Sequence, residues 1–352
     1  MPDATGRQPH LQATTVARRL GRVLRFGAPS GWYGTPAVWD GWWPPPSVTA
    51  TVAARLDTLL PEQRSRYDQL LTMGSDAGVP MAVLERAFAA GARLDALAFL
   101  AAAWPELTDR DRAQVATPLV PVGRAREVNL GDERARQTDA TTCGSAVLTM
   151  LAAAGDPLLA LWLVTGRAAV GGVPREVRAL SDADRAAPDV AGRFGAVQRA
   201  VKILSNRSAV GPFPWPAGLG TPPRGAARAA RFPGAAFRSV LIDDTQTTTL
   251  RALLSRAERS LAAGVGVPLF TGGDLGGGLA AAFPRHVVLL TPGPDQASLD
   301  AGRYTVYEPS SGSVHEISRA ELLAPDGPAP PSVAGRTPAG PCCPGPEGRA
   351  GT

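Results

Sequence analysis

The order of elements along this chain predicts an α+β fold with an N-terminal helical extension. Three observations carry that prediction. From Val48 to about Gln114, apolar residues recur at three- and four-residue spacing, as in "TVAARLDTLL" and "VPMAVLERAFAAGARLDALAFLAAAW". The C-terminal part instead holds short runs rich in β-branched residues, separated by turn signals: "VGVPLF", "HVVLL", "RYTVYE" and "GSVHEI". Helices precede strands rather than alternating with them, which excludes the βαβ pattern of a parallel sheet.

The 352 residues allow two domains, or one with large insertions. Residues 1–47 read as an irregular arm, whose "GWYGTPAVWDGWWPPP" packs four tryptophans before a proline run. Such a segment suits docking across a surface, with a peptide-binding groove as the other reading. Residues 48–125 form the helical subdomain. Pro61 suits a first helical turn, and Gly74 and Gly91 suit helix stops. Residues 126–323 make up the remaining domain, and a short strand is expected at its start, in "TPLVPVGRAREVNLG" across residues 117–131. Helical signal follows to about Gly166 and returns in "RFGAVQRAVKILSNR". The Pro/Gly-rich stretch 210–234 is too long for a simple connection, so an ordered insertion or functional loop is expected. Residues 324–352 lack the apolar content to fold and read as a disordered tail.

Composition narrows function mainly by exclusion. A hydrophobic fraction of 44% and a charged fraction of 19% are those of a soluble globular protein. The net charge of +5 is dispersed, with no run of five or six like charges, so no nucleic-acid partner is expected. Lys202 is the only lysine among the basic residues, a bias expected of GC-rich bacterial coding. The N-terminus has no apolar core of a signal peptide. The most apolar stretch, "SAVLTMLAAAGDPLLALWLVTG", is broken at Gly155–Pro157 and reads as two helices rather than a membrane span. Three cysteines, two of them adjacent (Cys342, Cys343), make no disulfide framework, so a cytoplasmic location is expected.

The chemistry concentrates in "QTDATTCGSAVLTM", residues 137–150. Cys143 stands where a Thr/Asp-rich turn enters a helix, with Asp139, Thr141 and Thr142 as cap candidates. Val147, Met150, Leu151 and Ala154 give one apolar stripe. A cysteine at a helix N-terminus has its thiolate favoured by the dipole, although a lone cysteine is as readily a small core residue. Of the three histidines, His10 lies in the arm and His315 inside a strand that reads as exposed. His286 opens "HVVLL" after the glycine-rich "TGGDLGGG". A thiol–imidazole pair needs a third group to orient the ring. Glu308, ending the next strand in "VYEPSSG", would meet His286 if the two strands pair antiparallel.

The string Q-x5-C-G-x-A-x-L-x-M resembles the C39-like peptidases of the papain-like cysteine peptidase superfamily. It reads here as Gln137, Cys143, Gly144, Ala146, Leu148 and Met150, followed by His286-Val287-Val288 and by Glu308-Pro309 with Gly312. The resemblance covers roughly residues 130–323 and implies a papain-like fold in which the cysteine helix packs on a small antiparallel sheet. It also implies a Cys143/His286/Glu308 triad, with Gln137 and the Cys143 N–H forming the oxyanion hole. Glu308 stands where the family usually has aspartate, and the stretch 210–234 falls outside the family pattern. A stand-alone member acting on a peptide or protein substrate, with no cofactor and no membrane partner, is the expectation. The alternatives are a catalytically silent peptide-binding scaffold, a transglutaminase-like acyl transferase, and an unrelated fold with a core cysteine. A catalytic site predicts an exposed thiol; a core cysteine would react only on unfolding.

Overall fold

The computed structural model describes residues 47–122, 126–207, 214–240, 242, 247–271, 286–292 and 296–323. The arm to residue 46, "TGGDLGGG" beyond Thr271, and the tail from residue 324 lie outside the described residues, as do His10, Cys342 and Cys343.

The helical part comprises α1 (Val48–Leu56), α2 (Pro61–Asp76), α3 (Met81–Ala89), α4 (Leu94–Ala103) and α5 (Asp109–Ala116). Ser47 caps α1 through its hydroxyl and Thr108 caps α5, each satisfying an N–H group that the helix leaves open. Pro61 opens α2, where its missing N–H costs nothing. Gly74 does not end that helix, which runs on to Asp76, and the positive φ of 78° falls at Gly78. Gly74 is there for packing: a Cβ would sit 2.4 Å from Leu84 Cδ1 on α3.

Two residues of β1 (Asn129–Leu130) pair with β2 (Glu133–Arg134). The chain then enters α6 (Cys143–Gly155) and α7 (Pro157–Thr165), which meet at a bend of 115°. Asp156 makes that corner, its carboxylate accepting from Leu158 N at 3.0 Å and so capping α7. Among the described residues no single helix is long and apolar enough to cross a membrane. After α8 (Arg175–Arg178) and α9 (Asp182–Arg185) comes the long α10 (Val190–Asn206).

The described part of the Pro/Gly-rich stretch is ordered. It holds a 3-10 turn, Ala217–Leu219, and α11 (Pro223–Ala229). Gly225 lies so close to the end of α10 that a Cβ would come within 1.8 Å of the Ser205 carbonyl oxygen. Backbone cannot swing aside as a leucine tip can. Gly225→Ala is therefore expected to cost about 3 kcal/mol in urea unfolding, the upper end of overpacking. Gly74→Ala, where Leu84 can rotate and helix propensity improves, should stay within ~1 kcal/mol.

Helix α12 (Thr247–Ala262) leads to β3 (Val267–Thr271), β4 (His286–Thr291), α13 (Gln296–Asp300), β5 (Arg303–Glu308), β6 (Ser313–Ser318) and α14 (Arg319–Leu323). The four strands form one antiparallel sheet in sequential order. Strand parity decides what each face touches. Val287, Leu289 and Tyr307 join the main apolar core, which runs from Val52 in α1 to Val314 in β6. Leu290, Leu299 and Tyr304 join Leu261 of α12 in a second cluster on the other side. The molecule is thus a mixed α+β structure built around a small antiparallel sheet.

Helix α6 departs from the sequence expectation of one apolar stripe. Every residue from Cys143 to Ala153 is buried, and Ala154, assigned to the stripe, is the one that is partly exposed. The reason is its place: it packs on β4 while α7, α10 and α11 cover its other sides. A helix enclosed all round needs apolar or small residues all round.

Candidate active site

The turn before α6 is fixed by its own side chains. Asp139 accepts from Thr141 N at 2.7 Å and Thr141 Oγ1 at 2.6 Å. Thr142 occupies the cap position, but its hydroxyl faces backward, accepting from Asp139 N at 2.9 Å and donating to Asp139 O at 3.0 Å. These bonds set the entry angle of the helix that begins with Cys143.

On the sheet, Leu289 pairs with Tyr307. Continuing that register one step sets Val288 opposite Glu308 and makes His286 its diagonal neighbour on the same face, within reach of long side chains. The contact is made: His286 Nε2 lies 2.6 Å from Glu308 Oε2. The other carboxylate oxygen accepts from Ser310 N at 2.9 Å. His286 also hydrogen-bonds Cys143. With Nε2 committed to the carboxylate, Nδ1 is the ring nitrogen left for the thiol. The structure brings Cys143, His286 and Glu308 into one hydrogen-bonded chain, from three separate elements.

Gln137 is drawn to the same end of the sheet by its backbone, its N–H donating to Pro309 O at 2.7 Å. Its side-chain Nε2 donates to Asp139 O at 2.8 Å, while Oε1 is buried without a hydrogen-bond partner. The Glu308–Ser313 hairpin is held against this loop. Gly312 closes the turn at φ 62°, where a Cβ would fall 3.0 Å from Ala135 O, and Tyr307 Oη donates to that same carbonyl.

Sequence reasoning missed two supporting residues. Gln198 of α10 is fully buried; its Nε2 donates to Arg136 O at 3.2 Å and its Oε1 accepts from Thr138 N at 3.2 Å, clamping both sides of Gln137. The signal was a polar residue on the face that carries Phe194, Val197 and Val201. Thr221 packs on Gly144, where a Cβ would meet its side chain at 2.5 Å. Nothing local in the sequence announces that contact. His315 is half-buried rather than exposed, with Nε2 3.0 Å from Ser313 Oγ.

Cys143 does not meet the expectation of an exposed thiol: the residue is 1% exposed. The same enclosure that buries α6 buries its first residue. The His286 ring, by contrast, is 34% exposed and the Glu308 side chain 14%.

The hydrogen bonds to Cys143 and then to Glu308 outweigh burial and push the His286 imidazole up to about 9. Burial works against ionisation of Glu308, but hydrogen bonds from His286 and Ser310 overcome it and hold the carboxyl below its ordinary value. These shifts have opposite consequences for stability. A raised imidazole contributes fully below its unfolded value of about 6.5 and loses that contribution as pH rises through about 9. A lowered carboxyl contributes above about 4.5 and loses it as pH falls. Wild type should therefore lose roughly 1–2 kcal/mol between pH 6.5 and 9.5, after allowance for solvent screening of the ring. Urea titrations of His286→Ala should lack that slope.

A helix-borne thiol, an imidazole and a carboxylate in series define a nucleophile–base–orienter arrangement. No protein-family model, no curated protein and no solved structure matches the chain.

Proposed function

We propose that the chain is a C39-like cysteine peptidase of papain-like fold, hydrolysing a peptide or amide bond by thiol acyl chemistry. The observation that carries the reading is the hydrogen-bonded series Cys143–His286–Glu308. His286 takes the thiol proton and Sγ attacks the substrate carbonyl. Gln137 and the Cys143 N–H are assigned to the oxygen on which negative charge develops. The His286 imidazolium then protonates the leaving amine, and a thioester remains. Water, deprotonated by His286, attacks that thioester; the acid product leaves and the thiol is restored. An amine in place of water would give acyl transfer instead. Glu308 keeps the ring oriented and favours its charged form, the role that a carboxylate plays in such triads. No step calls for a cofactor.

A second reading is favoured by one observation, the 1% exposure of Cys143. On that reading the chain is a silent peptide-binding scaffold that keeps the groups without the reaction. Iodoacetamide labelling of the folded full chain, located by peptide mapping, separates the two. Labelling at Cys143 that is fast at neutral pH and slowed in His286→Ala is the outcome expected of the peptidase. Labelling at Cys143 only beyond the urea midpoint would sink it.

A further inference from the structure

A cavity of about 460 Å³ lies at the opposite end of α6 from the cysteine. Ala154, in its wall, is eleven residues from Cys143, about 16 Å along the helix. The cavity sits between the helical part and the far end of the sheet, where β4 ends at Thr291 and β5 passes Thr305. Leu119, Val120, Leu151, Phe232 and Val314 give it apolar walls. Its volume is within the range of small-molecule sites, which pair such walls with a few fixed polar groups.

The polar side chains here are two arginines, three threonines, His315 and one glutamate. Arg86 and Arg126 line the cavity, and Glu316 is the one carboxylate among the described residues that do. Arg86 is the telling one. Its Nη2 donates to the Ala116 carbonyl at the end of α5, but its Nε is buried and has no hydrogen-bond partner. No carboxylate among the described residues forms an ion pair with it; Asp156, whose charge acts on it, is already bound by Arg231. A buried guanidinium N–H without an acceptor is costly to keep, and a guanidinium in a cavity wall is a charged donor suited to a carboxylate.

We infer that this cavity binds a small amphipathic carboxylate, its headgroup on Arg86 and its apolar chain against Leu119, Leu151 and Phe232. Arg126, on the exposed rim, adds positive potential at the mouth. The inference does not depend on the peptidase reading, because none of these residues belongs to the triad.

Decanoate is the probe, decanol its uncharged counterpart, and titration calorimetry of the full chain the measurement. Decanoate should bind saturably at one site, at least about tenfold tighter than decanol. Arg86→Met should remove that preference, and Ala154→Phe, which fills the cavity, should abolish binding. Far-UV circular dichroism checks that each variant folds; should Arg86→Met not fold, the decanoate–decanol comparison on wild type decides alone. No saturable binding, equal affinity for the two probes, or full binding by folded Ala154→Phe would each overturn the assignment. Peptide hydrolysis is not read in any arm, so failure here leaves the triad's role untouched.

Discussion

Cys143→Ala is expected to abolish peptide hydrolysis, a fall of at least ~10⁴-fold in kcat/KM for a lost nucleophile that acts as one unit with its base. His286→Ala should fall about as far, because the thiol then has no proton acceptor and the leaving amine no proton donor. Combining the two should cost little more than either alone. That non-additivity distinguishes a working triad from three residues that merely pack together. Glu308→Gln removes the negative charge facing His286 Nε2 at 2.6 Å while keeping an oxygen there. It should lower kcat by about 10²–10⁴ and also bring the imidazole down from about 9 towards its ordinary value. Gln137→Ala tests a different role. Loss of one oxyanion donor costs about 10²–10³ in kcat, with little change in KM. Steady-state kinetics on a cleaved peptide, with each variant's urea midpoint measured alongside, separates these effects. Equal turnover by wild type and Cys143→Ala would show that the hydrolysis comes from elsewhere.

Much of this site was legible before any coordinates, for a topological reason. Once "HVVLL" and "RYTVYE" are read as neighbouring antiparallel strands, the first residue of one must lie beside the last residue of the other. His286 and Glu308 follow, whatever the rest of the fold does. The cysteine helix was legible because its turn is rich in residues that bond their own backbone, as Asp139 and Thr142 do. What could not be read was depth. Hydrophobic period distinguishes one buried face from an exposed one, but α6 is buried on all sides by elements distant in sequence. Its near-continuous apolar run fitted an amphipathic stripe as well as a central helix.

The stretch 210–234 read as an ordered insertion or functional loop, and its described part is ordered, but the helix inside it did not show, for a related reason. A seven-residue helix is too short to show a period, and proline and glycine look like loop residues when counted alone. In place, Pro223 begins α11 and Gly225 admits the Ser205 carbonyl. Each residue has a positional meaning that only the packing reveals. Gln198 lies between these cases: a glutamine on an apolar helical face was visible, but its partners, 60 residues away, were not.

Arg231→Ala should be the most destabilising single change outside the glycine contacts, about 3–5 kcal/mol in urea unfolding. Arg231 follows α11, and its guanidinium reaches back to two carboxylates. Nε and Nη2 each lie 2.7 Å from an oxygen of Glu176, a bidentate pair, and Nη2 is also 2.9 Å from Asp156 Oδ2. The three side chains are only 16%, 7% and 10% exposed for Arg231, Asp156 and Glu176. Burial pushes the Asp156 carboxyl up, and Arg231 is the main group that opposes this, with the Leu158 N–H beside it. Truncating the arginine leaves two enclosed carboxylates facing one another, at the corner that ends α6 and caps α7. The sign of the pH effect follows. A carboxyl whose folded pKa is raised is tolerated when protonated and destabilises the fold as pH rises past its unfolded value. The variant should therefore be closest to wild type near pH 4–5 and furthest from it near pH 8. Arg231→Lys keeps the charge but loses the fork, so it should recover only part of the stability. A loss under ~1 kcal/mol at pH 8, or one that does not grow with pH, would mean that solvent reaches the cluster and already screens it. Because α6 carries Cys143 at its other end, loosening this corner should also slow peptide turnover before the protein as a whole unfolds.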